Sequence, residues 1–139
     1  TSGAAAEVFA RMVHELGGPS DFMERSEHYL AKADVIKPVY AEQAGVVQCI
    51  DTRAVGMSVV ELGGGRLRND ASVDHSVGFT DIVEIGESVD SQRPIATVHA
   101  RSEAAAERAA EQLRAAFSIG EVTASADTLL QDTFRGETL

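Results

Sequence analysis

The sequence has 139 residues, 44% of them apolar, and a formal net charge of -10 from 12 basic and 22 acidic side chains. That length suits one domain with a hydrophobic core of its own, while the acidic excess argues against a nucleic-acid or anionic-membrane binder, because the summed field repels phosphate polymers. Cys49 is the only cysteine, which excludes an intrachain disulfide and points to a reducing, cytoplasmic compartment, and neither a membrane-length apolar run nor a signal-peptide pattern is present.

In chain order, Ala5, Val8, Phe9, Met12, Val13 and Leu16 recur at helical spacing and make one apolar stripe. Ser2 is a candidate cap, and Gly17-Gly18-Pro19 stops the helix. A second short helix starts at Ser20 or Asp21 and runs through Tyr29 and Leu30. The stretch DVIKPVYA, residues 34–41, reads as a strand, with Pro38 implying a sheet edge or a break. GVVQCI, from Gly45, is a firmer strand of β-branched residues in which Cys49 alternates with Val47 and is expected to be a small buried hydrophobe.

Asp51 or Thr52 then caps a helix through Leu62, with Ala54, Val55, Ser58, Val59 and Leu62 on one face. A strand over MSVVEL is the competing reading, and Gly56 weakens the helix. Caps on both sides favour the helix: Asp51-Thr52 before it and Gly63, Gly64 and Gly65 after it. Residues 76–86 read as mixed strand and turn, and Pro94 starts a strand through Val98. Ser102 caps the last helix, whose apolar side is Ala106, Ala109, Ala110, Leu113, Ala116 and Phe117. After Ile119 the pattern fades into a polar stretch, apart from Leu129-Leu130 and Phe134, which reads as a tail that docks or frays.

The glycine run is the first candidate site. A phosphate loop needs inward N–H groups and a helix start behind them. Here the glycines follow a helix, at its negative end, and no Gly-Lys-Ser/Thr spacing is present. Gly63, Gly64, Gly65 and Arg66 are therefore expected to form a structural loop, with Arg66 and Arg68 meeting an anion or balancing the helix terminus. His14, His28, His75 and His99 are scattered, with no metal-ligand spacing. Ser58 and Ser76 lack a nucleophile elbow. No acid pair stands out for general acid–base work. Lys32 and Lys37 are the only lysines, and Pro38 beside Lys37 argues against an exposed carrier hairpin.

Taken together, AEVFARMV, GPSDF, KPVYAEQAGVVQCIDTRAVGMSVVELGGGR, DHSVGFTD and GESVDSQRPIATVHA closely resemble the C-terminal region of the pyrimidine-nucleoside phosphorylase family, in its bacterial thymidine-cleaving branch. The resemblance covers about residues 4–120. It implies a compact, hammerhead-like α/β (α+β) domain with a mixed sheet and flanking helices. The division it suggests is a helical lead-in over 1–30, the α/β domain over 31–120 and an irregular tail over 121–139.

The family reversibly converts thymidine and phosphate to thymine and 2-deoxy-alpha-D-ribose 1-phosphate. It works as a homodimer, with no metal or other cofactor, in a cleft between two lobes. The family's phosphate- and base-binding segments lie upstream of the region that matches, so the resemblance carries no catalytic or substrate-binding role onto this sequence. It implies instead a bracing role beside the rest of the α/β lobe, with Arg66, Asp74 and His75 fixing the loop over 63–79. The Thr1 start is expected to reflect a truncated chain, and its first and third helices to expose a face that the whole protein buries. A free-standing biotinyl- or lipoyl-like carrier module is the alternative, from the spacing of Gly86 through Ala96.

Overall fold

The computed structural model describes residues 3–66 and 72–121. Ser2, Arg68 and the expected tail, with Leu129, Leu130 and Phe134, lie outside the described residues.

Alanine and other good helix formers (Glu7, Arg11, Met12) favour α1 (Ala4–Glu15), which is preceded by Gly3 in a left-handed conformation. Its end is a Schellman closure. Gly17 takes φ 86, its N–H reaches His14 O at 2.9 Å, and the Gly18 N–H reaches Val13 O at 2.9 Å. α2 (Phe22–Tyr29) follows, with Arg25 outside helical geometry. Asp21 occupies the cap position but makes no cap hydrogen bond. Its carboxylate instead accepts from Tyr29 Oη at 2.7 Å and Arg25 Nη1 at 3.3 Å. The two helices meet through Phe9 and Phe22, with ring centroids 6.2 Å apart. Neither helix contains a buried residue.

The strands are β1 (Val35–Val39), β2 (Gly45–Ile50), β3 (Gly78–Thr80), β4 (Ser88–Val89), β5 (Ala96–Ala100) and β6 (Phe117–Gly120). They form two three-stranded sheets, ordered β1-β5-β3 and β4-β2-β6. The α/β class expected from the sequence holds, but the mixed sheet is corrected, since every described pairing is antiparallel. The reason lies in the connections. α3 (Thr52–Val59) and α4 (Glu103–Ala116) each carry the chain from one sheet to the other. Neither helix is therefore a crossover within a sheet, the connection that makes parallel neighbours. Pro38 does sit on an edge strand, as its missing N–H requires.

The core lies between α4 and the strands. Ala106, Ala109, Ala110, Leu113 and Ala116 form the buried face of α4. They pack with Val39, Val47, Ile95, Val98 and Phe117. Four small side chains let the helix approach the sheets closely, so valines, Ile95 and Leu113 fill most of the space, with Phe117 the one buried aromatic among the described residues.

Three further expectations are corrected. Cys49 is exposed, because the β2–β6 register shifts between Val47 and Cys49. That bulge leaves Gln48 and Cys49 both outward and returns Ile50 to partial burial. Phe117 is not on the helix but begins β6, paired with Ile50. The strand expected to end at Val98 runs on to Ala100.

Candidate functional site

The glycine run closes α3. Asp51 accepts from the Ala54 N–H at 2.9 Å, which caps the helix and settles helix over strand. The helix then widens into one π turn over Val60–Gly64, where Gly63 takes φ 102. That conformation costs a side chain dearly and glycine little. The Gly63 carbonyl accepts from the Asp74 N–H at 2.8 Å, so the two ends of the loop meet. Gly63, Gly64 and Gly65 thus lie at the carbonyl end of the helix, and Arg66 is exposed just beyond them.

Among the described residues of this region, Asp74 is the most heavily bonded polar group. Its carboxylate accepts from the Ser76 N–H at 2.9 Å, from Ser76 Oγ at 2.7 Å and from Arg101 Nε. Its side chain is 11% exposed against 67% for Arg101. The two Ser76 bonds, followed by the guanidinium, hold the Asp74 carboxyl down at about 2. Ser76 is therefore a donor in an Asx turn and not a nucleophile. Ser58, the buried serine of α3, donates to the Val55 carbonyl at 2.7 Å.

The histidines stay apart in role. His14 and His28 lie in the last turns of α1 and α2, His28 edge-on to Tyr29 at 5.1 Å. His75 is exposed on the loop. His99, half-buried on β5, shares a 2.9 Å hydrogen bond with Thr80 Oγ1 across the β3–β5 pair. Among the described residues no group of three His, Cys, Asp or Glu could hold a metal ion. Also among them, no helix is long and apolar enough to cross a membrane.

Lys37 lies in mid-strand, paired with Glu103 and, at 3.3 Å, Glu107 of α4. Those two acids raise its pKa, Glu103 most. A carrier lysine needs the tip of a hairpin, and Lys37 is not at one.

One feature was not visible from the sequence. A cleft of about 530 Å³ opens between the β1–β2 connection, α4 and β6, lined by Glu42, Gln43, Ile95, Glu111, Phe117 and Ile119 among others. Arg114 at its wall donates to the Tyr40 carbonyl at 3.0 Å. None of the residues singled out as a site in the sequence lies in it. Its walls come from segments about seventy residues apart, as the pairing of Val46 with Gly120 illustrates, and no local motif encodes such a meeting.

The geometry is that of an α/β domain whose polar loop groups are turned onto one another. Residues 46–120 match the family model of the pyrimidine nucleoside phosphorylase C-terminal domain. The chain belongs to that family, and its glycine loop, Asp74 and Arg101 all fall inside the matched span.

Proposed function

We propose that the chain is the C-terminal scaffold of a thymidine-cleaving phosphorylase, and that it braces the lobe holding the phosphate site without performing the chemistry. The observation that carries this reading is the Asp74 node. Its carboxylate is taken up by Ser76 and Arg101, and its backbone closes the loop onto Gly63. Gly63, Gly64, Gly65 and Arg66 are then a shaping element and not a phosphate cradle.

In the parent reaction, a phosphate oxygen attacks the anomeric carbon of the sugar. The carbon–nitrogen bond breaks, and the pyrimidine leaves with the electron pair. Fixed cations elsewhere in the enzyme would hold phosphate and stabilise the departing base. Closure of the lobes would keep water from competing with phosphate. The share of this chain is stiffness, delivered through the loop over 63–79. A cytoplasmic homodimer of the whole phosphorylase belongs to the same reading.

The test is a chromatographic assay of the purified 139-residue chain with thymidine and inorganic phosphate. No thymine is expected. Turnover above what host enzyme explains would overturn the proposal. Sequencing the gene upstream of Thr1 is the companion experiment, with a glycine-rich segment bearing lysine and serine as the expected finding.

A further inference from the structure

The cleft between the β1–β2 connection, α4 and β6 has a definite chemistry. Its floor is apolar: Ile95 and Phe117 are buried, and Ile119 is half-buried beside them. Its rim is acidic: Glu42 and Glu111 are exposed, and neither has an ion-pair partner among the described residues. At about 530 Å³ it has room for more than one side chain. A fitting occupant is an apolar group with a cation directly beside it.

The chain itself carries such a pair. β6 lines the cleft through Ile119 and ends at Gly120, and the sequence continues over residues 121–139. The root of that stretch is pinned at the rim. Gln43 Nε2 donates to the Ile119 carbonyl at 3.1 Å, and Gln48 Nε2 donates to the Glu121 carbonyl at 2.9 Å. Beyond Glu121 the large apolar residues are Leu129, Leu130, Phe134 and Leu139, and Arg135 is the only cation. Phe134 alone adjoins that cation. Leu130 stands two residues from Asp132, and Leu139 two from Glu137, acids that the rim would repel. Phe134 follows Glu121 by 13 residues, a reach on the order of 40 Å when extended, which is ample for a return to Ile119.

We propose that residues 122–139 turn back along β6 and seat Phe134 in this cleft, on Ile95, Phe117 and Ile119, with Arg135 between Glu42 and Glu111. The site is intramolecular and does not depend on which reaction the parent enzyme performs. The ring supplies the driving force, since a buried phenylalanine removes about 150–250 Å² from water. The charges at the exposed rim fix the register more than they add strength.

The test is isotope-edited NMR on the full 139-residue chain. Nuclear Overhauser effects are expected between the Phe134 ring and the methyl groups of Ile95 and Ile119. Phe134→Ala should shift the Ile119 methyl signals by removing the ring current, and lower Tm by roughly 3 °C or more. Arg135→Glu should weaken the contacts, and Arg135→Glu combined with Glu111→Arg should recover them.

No contact between Phe134 and the cleft methyls in the wild type, with Ile119 indifferent to Phe134→Ala, would overturn the proposal. Contacts to the cleft from Leu129 or Leu130 in its place would do the same, as would contacts undiminished by Arg135→Glu, because charge is what selects Phe134. Contacts seen only between labelled and unlabelled copies in a mixed sample would give the cleft to a second copy, and the inference falls.

Discussion

Two glycines near the same helix should respond oppositely to alanine. At Gly64 an added Cβ would sit 2.8 Å from Val59 Cγ1, 3.2 Å from the Val59 carbonyl oxygen and 3.3 Å from the Val77 carbonyl oxygen. Val59 is β-branched and helical, so its methyl cannot rotate away cheaply. The two carbonyls belong to the backbone on either side of the loop, so relief requires the loop itself to open. Overpacking of this kind costs about 1–3 kcal/mol. At Gly56, inside α3, nothing lies within 4 Å of the added Cβ. Alanine there should stabilise by about 0.5–1 kcal/mol through helix propensity and a less disordered unfolded chain. Urea unfolding at neutral pH, followed by far-UV circular dichroism, measures both. Gly64→Ala should lower the midpoint and Gly56→Ala raise it, with equal slopes. Equal midpoints for Gly64→Ala and the wild type would refute the close approach on which the structural reading of the glycine run depends.

Other expectations follow from the core, the loop and the bulge. Leu113→Ala, at a fully buried position on α4, should cost about 2–5 kcal/mol in the same assay. Asp74 has its folded pKa held at about 2, below its usual value of 3.8. Its contribution should therefore be complete above pH 4 and fade as pH falls toward 2. Urea midpoints of wild type and Asp74→Asn should accordingly differ at neutral pH and draw together in acid, and a gap undiminished at pH 2 would refute the assignment. Cys49 should react with a thiol reagent in the native chain without denaturant, since the bulge turns it outward.

The helices were legible wherever a cap coincided with a periodic face. Asp51 and Ser102 both make the side-chain bonds that their positions promised. Gly17 ended α1 for the same local reason. Strand β6 was not legible, because nothing between Ala116 and Phe117 breaks an alanine-rich helix and only pairing with distant β2 makes FSIG a strand. Nor was β4, a strand of two residues. Cys49 misled because alternation assumes an unbroken register, and one extra residue in β2 shifts the phase. At the candidate site, the Asp74-to-Ser76 turn had a local signal in the spacing of acid and serine. Its tie to Arg101 did not, since that residue arrives from the far end of β5. The open face of α1 and α2 was half legible: the stripe was plain, but a stripe does not say whether anything covers it.

The pairing of β2 with β6 sets an order of events during synthesis. Val46 finds its partner in Gly120, and the Asp51 N–H finds the Ala116 carbonyl at 2.8 Å. Closing so wide a loop carries a large entropic toll before any contact rewards it. On a ribosome, the second sheet must wait with its central strand half-paired until the last described strand has left the exit tunnel. Ribosome stalling short of Gly120 should therefore leave a nascent chain that proteases still read as unfinished.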